Sequence, residues 1–213
     1  MTITKFGHCC LLIETNGKRI LTDPGKFSTE QNTLTGIDIV LITHEHADHC
    51  HTDSLIHILE NNPEAVIVSN TSVAALLKKI EIDTHIIEGR DTATVVDVAL
   101  AAYDGPHVEI FEDFGIVQNT GYLIGNSFFY PGDAYTIPDA AVDILALPVA
   151  GPWCKVSDAI RYALKVQPRV AFPVHDATLA ETGKTVTYPH FTRELKKRGT
   201  DFVLLEQNTP TTF

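Results

Sequence analysis

The chain has 213 residues, 44% hydrophobic and 20% charged, which is the balance of an ordinary globular protein and excludes disordered, coiled-coil and collagen-like classes. Its 16 basic against 27 acidic side chains leave a formal charge of −11, which disfavours nucleic acid and anionic membrane surfaces as partners, since both are held mainly by Lys and Arg. The longest apolar runs, such as Ile39-Val40-Leu41-Ile42, fall far short of the roughly 20 residues a spanning helix needs, and Met1-Thr2-Ile3-Thr4-Lys5-Phe6 lacks the apolar stretch of a signal peptide. Four cysteines without framework spacing, Cys9 and Cys10 adjacent, read as reduced thiols, so a cytoplasmic protein with a small-molecule substrate is expected, its oligomeric state left open.

In chain order, Cys10–Ile13 and Lys18–Leu21 flank Asn16-Gly17, the strongest short signal for a hairpin. The stretch from Ile37 to Thr43 is apolar without alternation, as in a strand covered on both faces. Thr52 is placed to cap a helix carrying Leu55, Ile56 and Leu59 that stops before Pro63. Ala65–Ser69 reads as a strand, and Thr71 as the cap of a helix with Val73, Leu76, Leu77 and Ile80 on one face.

The second half follows the same plan. Thr92–Tyr103 is rich in strand formers, and Tyr122–Tyr130 turns at Gly125-Asn126. Ile144–Leu147 reads as a buried strand, and Ser157 as the cap of a helix ending before Pro168. Val170–Val174 reads as a strand, Pro189–Arg198 as a helix closed by Gly199, and Phe202–Leu205 as a last strand. These elements predict one domain over 1–213, built of two similar halves (about 1–103 and 104–213). Its fold class is α/β: two β-sheets packed face to face with helices on both outer sides, an αββα sandwich.

The informative segment is Thr43-His44-Glu45-His46-Ala47-Asp48-His49, directly after a buried strand, where α/β sheets place their sites. His44 and His46 are close enough to clasp one ion, and Asp48 and His49 can hold a second beside it. Four donors cannot fill two coordination spheres, so further ligands must come from later in the chain. His57, His85 and His190 are expected to be hydrogen-bonded core residues, His51 a solvated residue at a helix start, and Cys50 and Cys154 packing residues. Trp153 and Tyr135 follow site strands and are expected to pack.

His44-x-His46-x-Asp48-His49 resembles the signature of the metallo-β-lactamase superfamily. The likeness extends over most of the chain through Asp23-Pro24, His107 after Tyr103-Asp104-Gly105-Pro106, Asp133 in Tyr130-Pro131-Gly132-Asp133, and His175 in Phe172-Pro173-Val174-His175. The resemblance implies that His44, His46 and His107 hold one metal, that Asp48, His49 and His175 hold another, and that Asp133 bridges them. Two divalent ions are implied, zinc first and manganese second, sharing a hydroxide that attacks an electrophilic carbon or phosphorus. Gly7-His8 and the short length resemble the small branch that includes ascorbate-6-phosphate lactonase-like proteins. That implies a metal-dependent hydrolase acting on a lactone or phosphodiester, with Asp48 orienting the nucleophile and His8 pointing into the site. By the same resemblance, Asp23 would support the metal-ligand histidines.

Departures narrow the class. β-Lactamases of the di-zinc type lack the histidine after the signature Asp and carry Cys where Asp133 stands. Diiron members carry Glu at the place of His46. The alternative is a metal-binding or ligand-sensing module that keeps the site without turnover; its marker, a missing bridging or orienting residue, is not found.

Overall fold

The computed structural model describes residues 1–213, and its strands are β1 (Thr2–Phe6), β2 (Cys10–Thr15), β3 (Lys18–Thr22), β4 (Ile39–Leu41), β5 (Val66–Ser69), β6 (His85–Ile86), β7 (Thr92–Val95), β8 (Val98–Pro106), β9 (Gln118–Ile124), β10 (Phe128–Tyr130), β11 (Ile144–Pro148), β12 (Val170–Val174), β13 (Asp201–Phe202) and β14 (Thr211–Thr212). Its helices are α1 (Thr52–Asn61), α2 (Thr71–Lys78), α3 (Val156–Val166) and α4 (Glu181–Lys196), none long and apolar enough to cross a membrane.

The strands form two seven-stranded sheets, ordered β14-β1-β2-β3-β4-β5-β6 and β13-β12-β11-β10-β9-β8-β7. Read from β14 in one and from β7 in the other, three antiparallel pairs are followed by three parallel ones. Parallel strands carry helices on their outer face and a second sheet on their inner face, so both faces are apolar. In β2, Leu11 and Ile13 enter the cluster between the sheets, while Cys10 and Leu12 meet Leu55 and Ile58 of α1 and Val73 and Leu77 of α2. In β11, Ile144 and Ala146 face the inter-sheet core, and Leu145 and Leu147 face Ala159, Tyr162 and Ala163 of α3 and Phe191 and Leu195 of α4. The expected αββα sandwich is the observed fold.

Local chemistry sets the turns. Asn16-Gly17 and Val96-Asp97 each have positive φ at both residues, as two-residue hairpin turns of the type that matches strand twist require, and Gly125-Asn126 shows the same pair of angles inside the three-residue connection between Ile124 and Phe128. The Val96 turn splits the expected Thr92–Tyr103 stretch into β7 and β8, and sequence gives no warning of it, because a β-branched residue resists positive φ.

Other expectations need correction. Asn70, not Thr71, caps α2, its side-chain carbonyl accepting from the Val73 amide at 3.1 Å. His51 and Lys155 hold the N-cap positions of α1 and α3, leaving Thr52 and Ser157 inside the first turn. Helix α4 begins eight residues before Pro189 and carries it inside. This helix lies on the outside of the molecule, and Tyr188, beside the proline, is fastened by a 2.6 Å bond from its hydroxyl to Asp176 Oδ2. Strand β13 is confined to Asp201–Phe202, short of Leu205.

Two glycines let the site loops meet. A Cβ on Gly25 would run into the Asp48 carbonyl, and one on Gly132 into Asn119 Oδ1 and the Thr43 side chain, while Gly132 also needs its φ of 64°.

Candidate metal centre

The sequence-nominated side chains leave strand ends that the two sheets bring to one edge: His8 after β1, Asp23 after β3, His44–His49 after β4, His107 after β8, Asp133 after β10 and His175 after β12. One donor atom each from His44, His46 and His107 lies within 4.8 Å of the others, and the same holds for Asp48, His49 and His175. Asp133 sits between the two sets. Its Oδ2 lies 3.0 Å from His175 Nε2, 3.3 Å from His107 Nε2 and 3.8 Å from His44 Nε2, and its Oδ1 lies 3.2 Å from His49 Nε2. The chain thus brings these seven residues together at one edge of the two sheets.

Hydrogen bonds outside the cluster aim the ring nitrogens. Asp23, fully buried, accepts from the Thr43 amide at 2.8 Å, from the Thr43 hydroxyl at 2.7 Å, and from His49 Nδ1 at 2.7 Å. Because the Thr43 hydroxyl gives its proton to Asp23, it accepts from His44 Nδ1–H, 3.0 Å away. His107 Nδ1–H donates to the Val108 carbonyl at 2.6 Å. Each of these rings thus presents Nε2 inward, the arrangement that outer hydrogen bonds impose on metal-binding imidazoles. Asn119 Oδ1 accepts from the Asp133 amide at 3.0 Å and its Nδ2 donates to Pro131 O at 2.9 Å, fixing the turn that carries the central carboxylate. Thr43 and Asn119 escaped the sequence reading: a hydroxyl or amide that works by reaching another strand has no local signature.

The donor set fits divalent cations. His44 Nε2, His175 Nε2 and Asp133 Oδ1 are buried without a hydrogen-bond partner, a costly condition for polar atoms unless an ion completes it. His8 is different. Its Nδ1 accepts from the Ala177 amide at 3.1 Å, so the proton of the neutral ring sits on Nε2, which lies 3.6 Å from Asp48 Oδ2. His8 enters the site as a donor, not as a metal ligand.

Electrostatics agree with an ion-binding cage. Burial and the neighbouring His49 hold His44 well below its ordinary value, and burial with His107 lowers His46, so both imidazoles stay neutral. Burial opposes ionisation of Asp133, yet His49 and His175 outweigh it and hold its carboxyl well below the carboxylate range. Burial likewise opposes ionisation of Asp48, but the imidazoles of His175 and His8 beside it, at 3.5 and 3.6 Å, prevail and hold it well below the carboxylate range. Conversely, His49 and His175 are raised well above the usual histidine range: burial works against their charge, but Asp133 overcomes it.

Without ions, protons on His49 and His175 therefore balance the carboxylates. That stabilisation is full below the ordinary histidine range and fades as pH rises through the raised values. Cations displace those protons, so the rise in Tm on adding zinc to metal-free protein is expected to be larger at about pH 8 than at about pH 6. Thermal melts at both pH values check this, and equal shifts would contradict it.

Around the cage, Trp153 packs edge-on against His107 and His175 at 5.6 and 5.3 Å between ring centres. Tyr135 packs against Trp153 and gives its hydroxyl to Cys154 Sγ at 3.3 Å. Cys50 lies in the apolar layer under α1, its thiol pushed up to about 12 by burial. His51 Nδ1 meets Ser54 Oγ at 2.9 Å at the start of α1. His57, His85 and His190 are not core residues: all three are exposed, His57 on α1, His85 on the edge strand β6 and His190 on α4. A buried lysine also borders the centre. Lys5 Nζ donates to Pro173 O at 2.8 Å and Asp176 Oδ1 at 2.6 Å, tying β1 to the loop that carries His175.

Residues 2–175 match the family described as the beta-lactamase superfamily domain, and the chain belongs to this metallo-β-lactamase superfamily. It is 35% identical over 218 residues, the full length of both chains, to Protein Rv0786c of Mycobacterium tuberculosis. It is also 35% identical over 195 residues to the UPF0173 metal-dependent hydrolase of Geobacillus thermodenitrificans, covering 82% of this chain and 85% of the relative. Among solved structures, Igni18, a metallo hydrolase from Ignicoccus hospitalis, superposes with a TM-score of 0.78 at 20% identity, covering 100% of this chain and 97% of the other, a likeness of fold.

Proposed function

We propose that the chain is a two-metal hydrolase cleaving a small ester-like bond, a lactone or a phosphodiester. His44, His46 and His107 would hold one ion, Asp48, His49 and His175 the other, with Asp133 between them. The observation that carries this reading is the position of Asp133, whose two oxygens lie within 3.8 Å of histidines from both sets. The relatives named metal-dependent hydrolases support it. Two divalent ions, zinc first and manganese second, would supply Lewis acidity and a water acidified towards neutrality.

The chain's own residues do the rest. Asp48 Oδ2, 3.5 Å from His175 Nε2 and 3.6 Å from His8 Nε2, is placed to orient the attacking water by accepting its hydrogen bond. His8, held by the Ala177 amide with Nε2–H inward, donates to a substrate oxygen as negative charge develops there. Phe27, 46% exposed and 5.1 Å from the His8 ring, offers an apolar rim to a small substrate. The acidic surface argues against nucleic-acid or membrane partners, and four free thiols suit a cytoplasmic setting. The matching pairing order of the two sheets supports reading the chain as one domain of two similar halves.

Protein loaded separately with zinc and manganese and assayed against lactone, phosphodiester and thioester panels tests the function. Turnover of a lactone or phosphodiester is expected; a fully metallated protein that turns over nothing would favour the non-catalytic module instead.

A further inference from the structure

The chain's four cysteines divide sharply. Cys10, Cys50 and Cys154 lie in or against the apolar layers between sheet and helix, whereas Cys9 belongs to no apolar cluster. It is 1% exposed at the end of the β1–β2 turn, and its neighbours are imidazoles. Its Sγ lies 3.6 Å from His49 Nε2, the nitrogen that Asp23 turns inward. It also lies within 4.8 Å of a donor atom of His8 and of one of His175. Both His175 ring nitrogens are buried and unpartnered, as is His8 Nε2.

We infer that Cys9, as a thiolate, is a further ligand of the ion held by Asp48, His49 and His175. This rests on the two-metal reading above. With Zn–S of about 2.3 Å and Zn–N of about 2.0–2.1 Å, a sulfur and a nitrogen on one zinc stand no more than about 4.4 Å apart, and the 3.6 Å between Cys9 Sγ and His49 Nε2 lies within that reach before any ion is placed. On binding, the S–H bond is replaced by a sulfur–metal bond and the proton leaves to solvent. His8 does not compete for the position, because its Nε2 carries a proton. Cys10, one residue on, points to the opposite face of the strand and has no such role.

A soft thiolate favours zinc, cobalt(II) and cadmium over manganese, which prefers oxygen donors, so this residue sets the metal preference of the second site.

Cobalt(II) titration of the metal-free protein, followed in the near ultraviolet, tests the assignment without any substrate. Wild type is expected to develop a thiolate-to-cobalt charge-transfer band as the second equivalent binds. C9S is expected to lack the band and to bind zinc at least about 10-fold more weakly at that site, with manganese binding little changed. C10S is expected to keep the band. The wild-type spectrum stands even if C9S fails to fold. Two cobalt ions bound with no such band, or a band that persists in C9S, would overturn the role of Cys9 while leaving the two-metal reading intact. Failure to bind cobalt at all would overturn both.

Discussion

Asp133→Asn is expected to lower hydrolysis by about 10²–10³-fold or more while the protein still folds and takes up metal more weakly. The carboxylate is the one group that touches the histidines of both sets, and all its reach is spent on them. An amide keeps the shape but loses the charge that would balance two cations, and its NH₂ half has no lone pair to offer an ion. The backbone that carries residue 133 is secured independently, by its amide to Asn119 Oδ1 and its carbonyl to the Val108 amide, so the loss falls on the chemistry. Steady-state kinetics with metal content measured on the same sample decide the matter. Activity above a tenth of wild type with metal at normal occupancy would contradict the central role of Asp133.

Asp23→Ala is expected to damage both the fold and the metal site, although Asp23 belongs to neither ligand set. Its carboxylate holds the Thr43 amide and hydroxyl and His49 Nδ1, and through Thr43 it also sets the proton position on His44. Removing it leaves a buried imidazole and a buried amide without their partner, a loss of about 3–5 kcal/mol by analogy with broken buried pairs. Metal affinity should fall about 10–100-fold, as when the outer partner of a liganding histidine is removed. Urea melts of the metal-free protein and chelator competition on the loaded one read the two effects separately. A variant with normal stability and normal zinc affinity would show that the Asp23–Thr43 pair positions nothing.

How much of this was legible in the sequence depends on distance along the chain. His44, His46, Asp48 and His49 share one loop, so their spacing alone announces a metal site. His107, Asp133 and His175 are separated by tens of residues, and only resemblance joined them to the cluster before the two sheets did so in space. The sandwich was legible because strands such as Ile144–Leu147 are apolar on both faces, which only two covering layers satisfy. What escaped has a common cause. Asn70 caps α2 and also reaches the Thr43 carbonyl at 2.9 Å, Lys5 is buried because Asp176 meets it from another layer, and the edge strands β6 and β14 exist only through their neighbours. Each depends on partners remote in sequence. Pro189 misled for a local reason: a proline suits the first turn of a helix, but here seven further residues precede Tyr188 hydrogen-bonding to Asp176, and the helix runs through.

The most direct test is anomalous diffraction at the zinc edge from crystals grown with zinc. Two peaks about 3.5–4 Å apart are expected, one against His44, His46 and His107 and the other against Asp48, His49 and His175, with Asp133 reaching both. A single peak, or peaks away from Asp133, would contradict the two-cation centre proposed above.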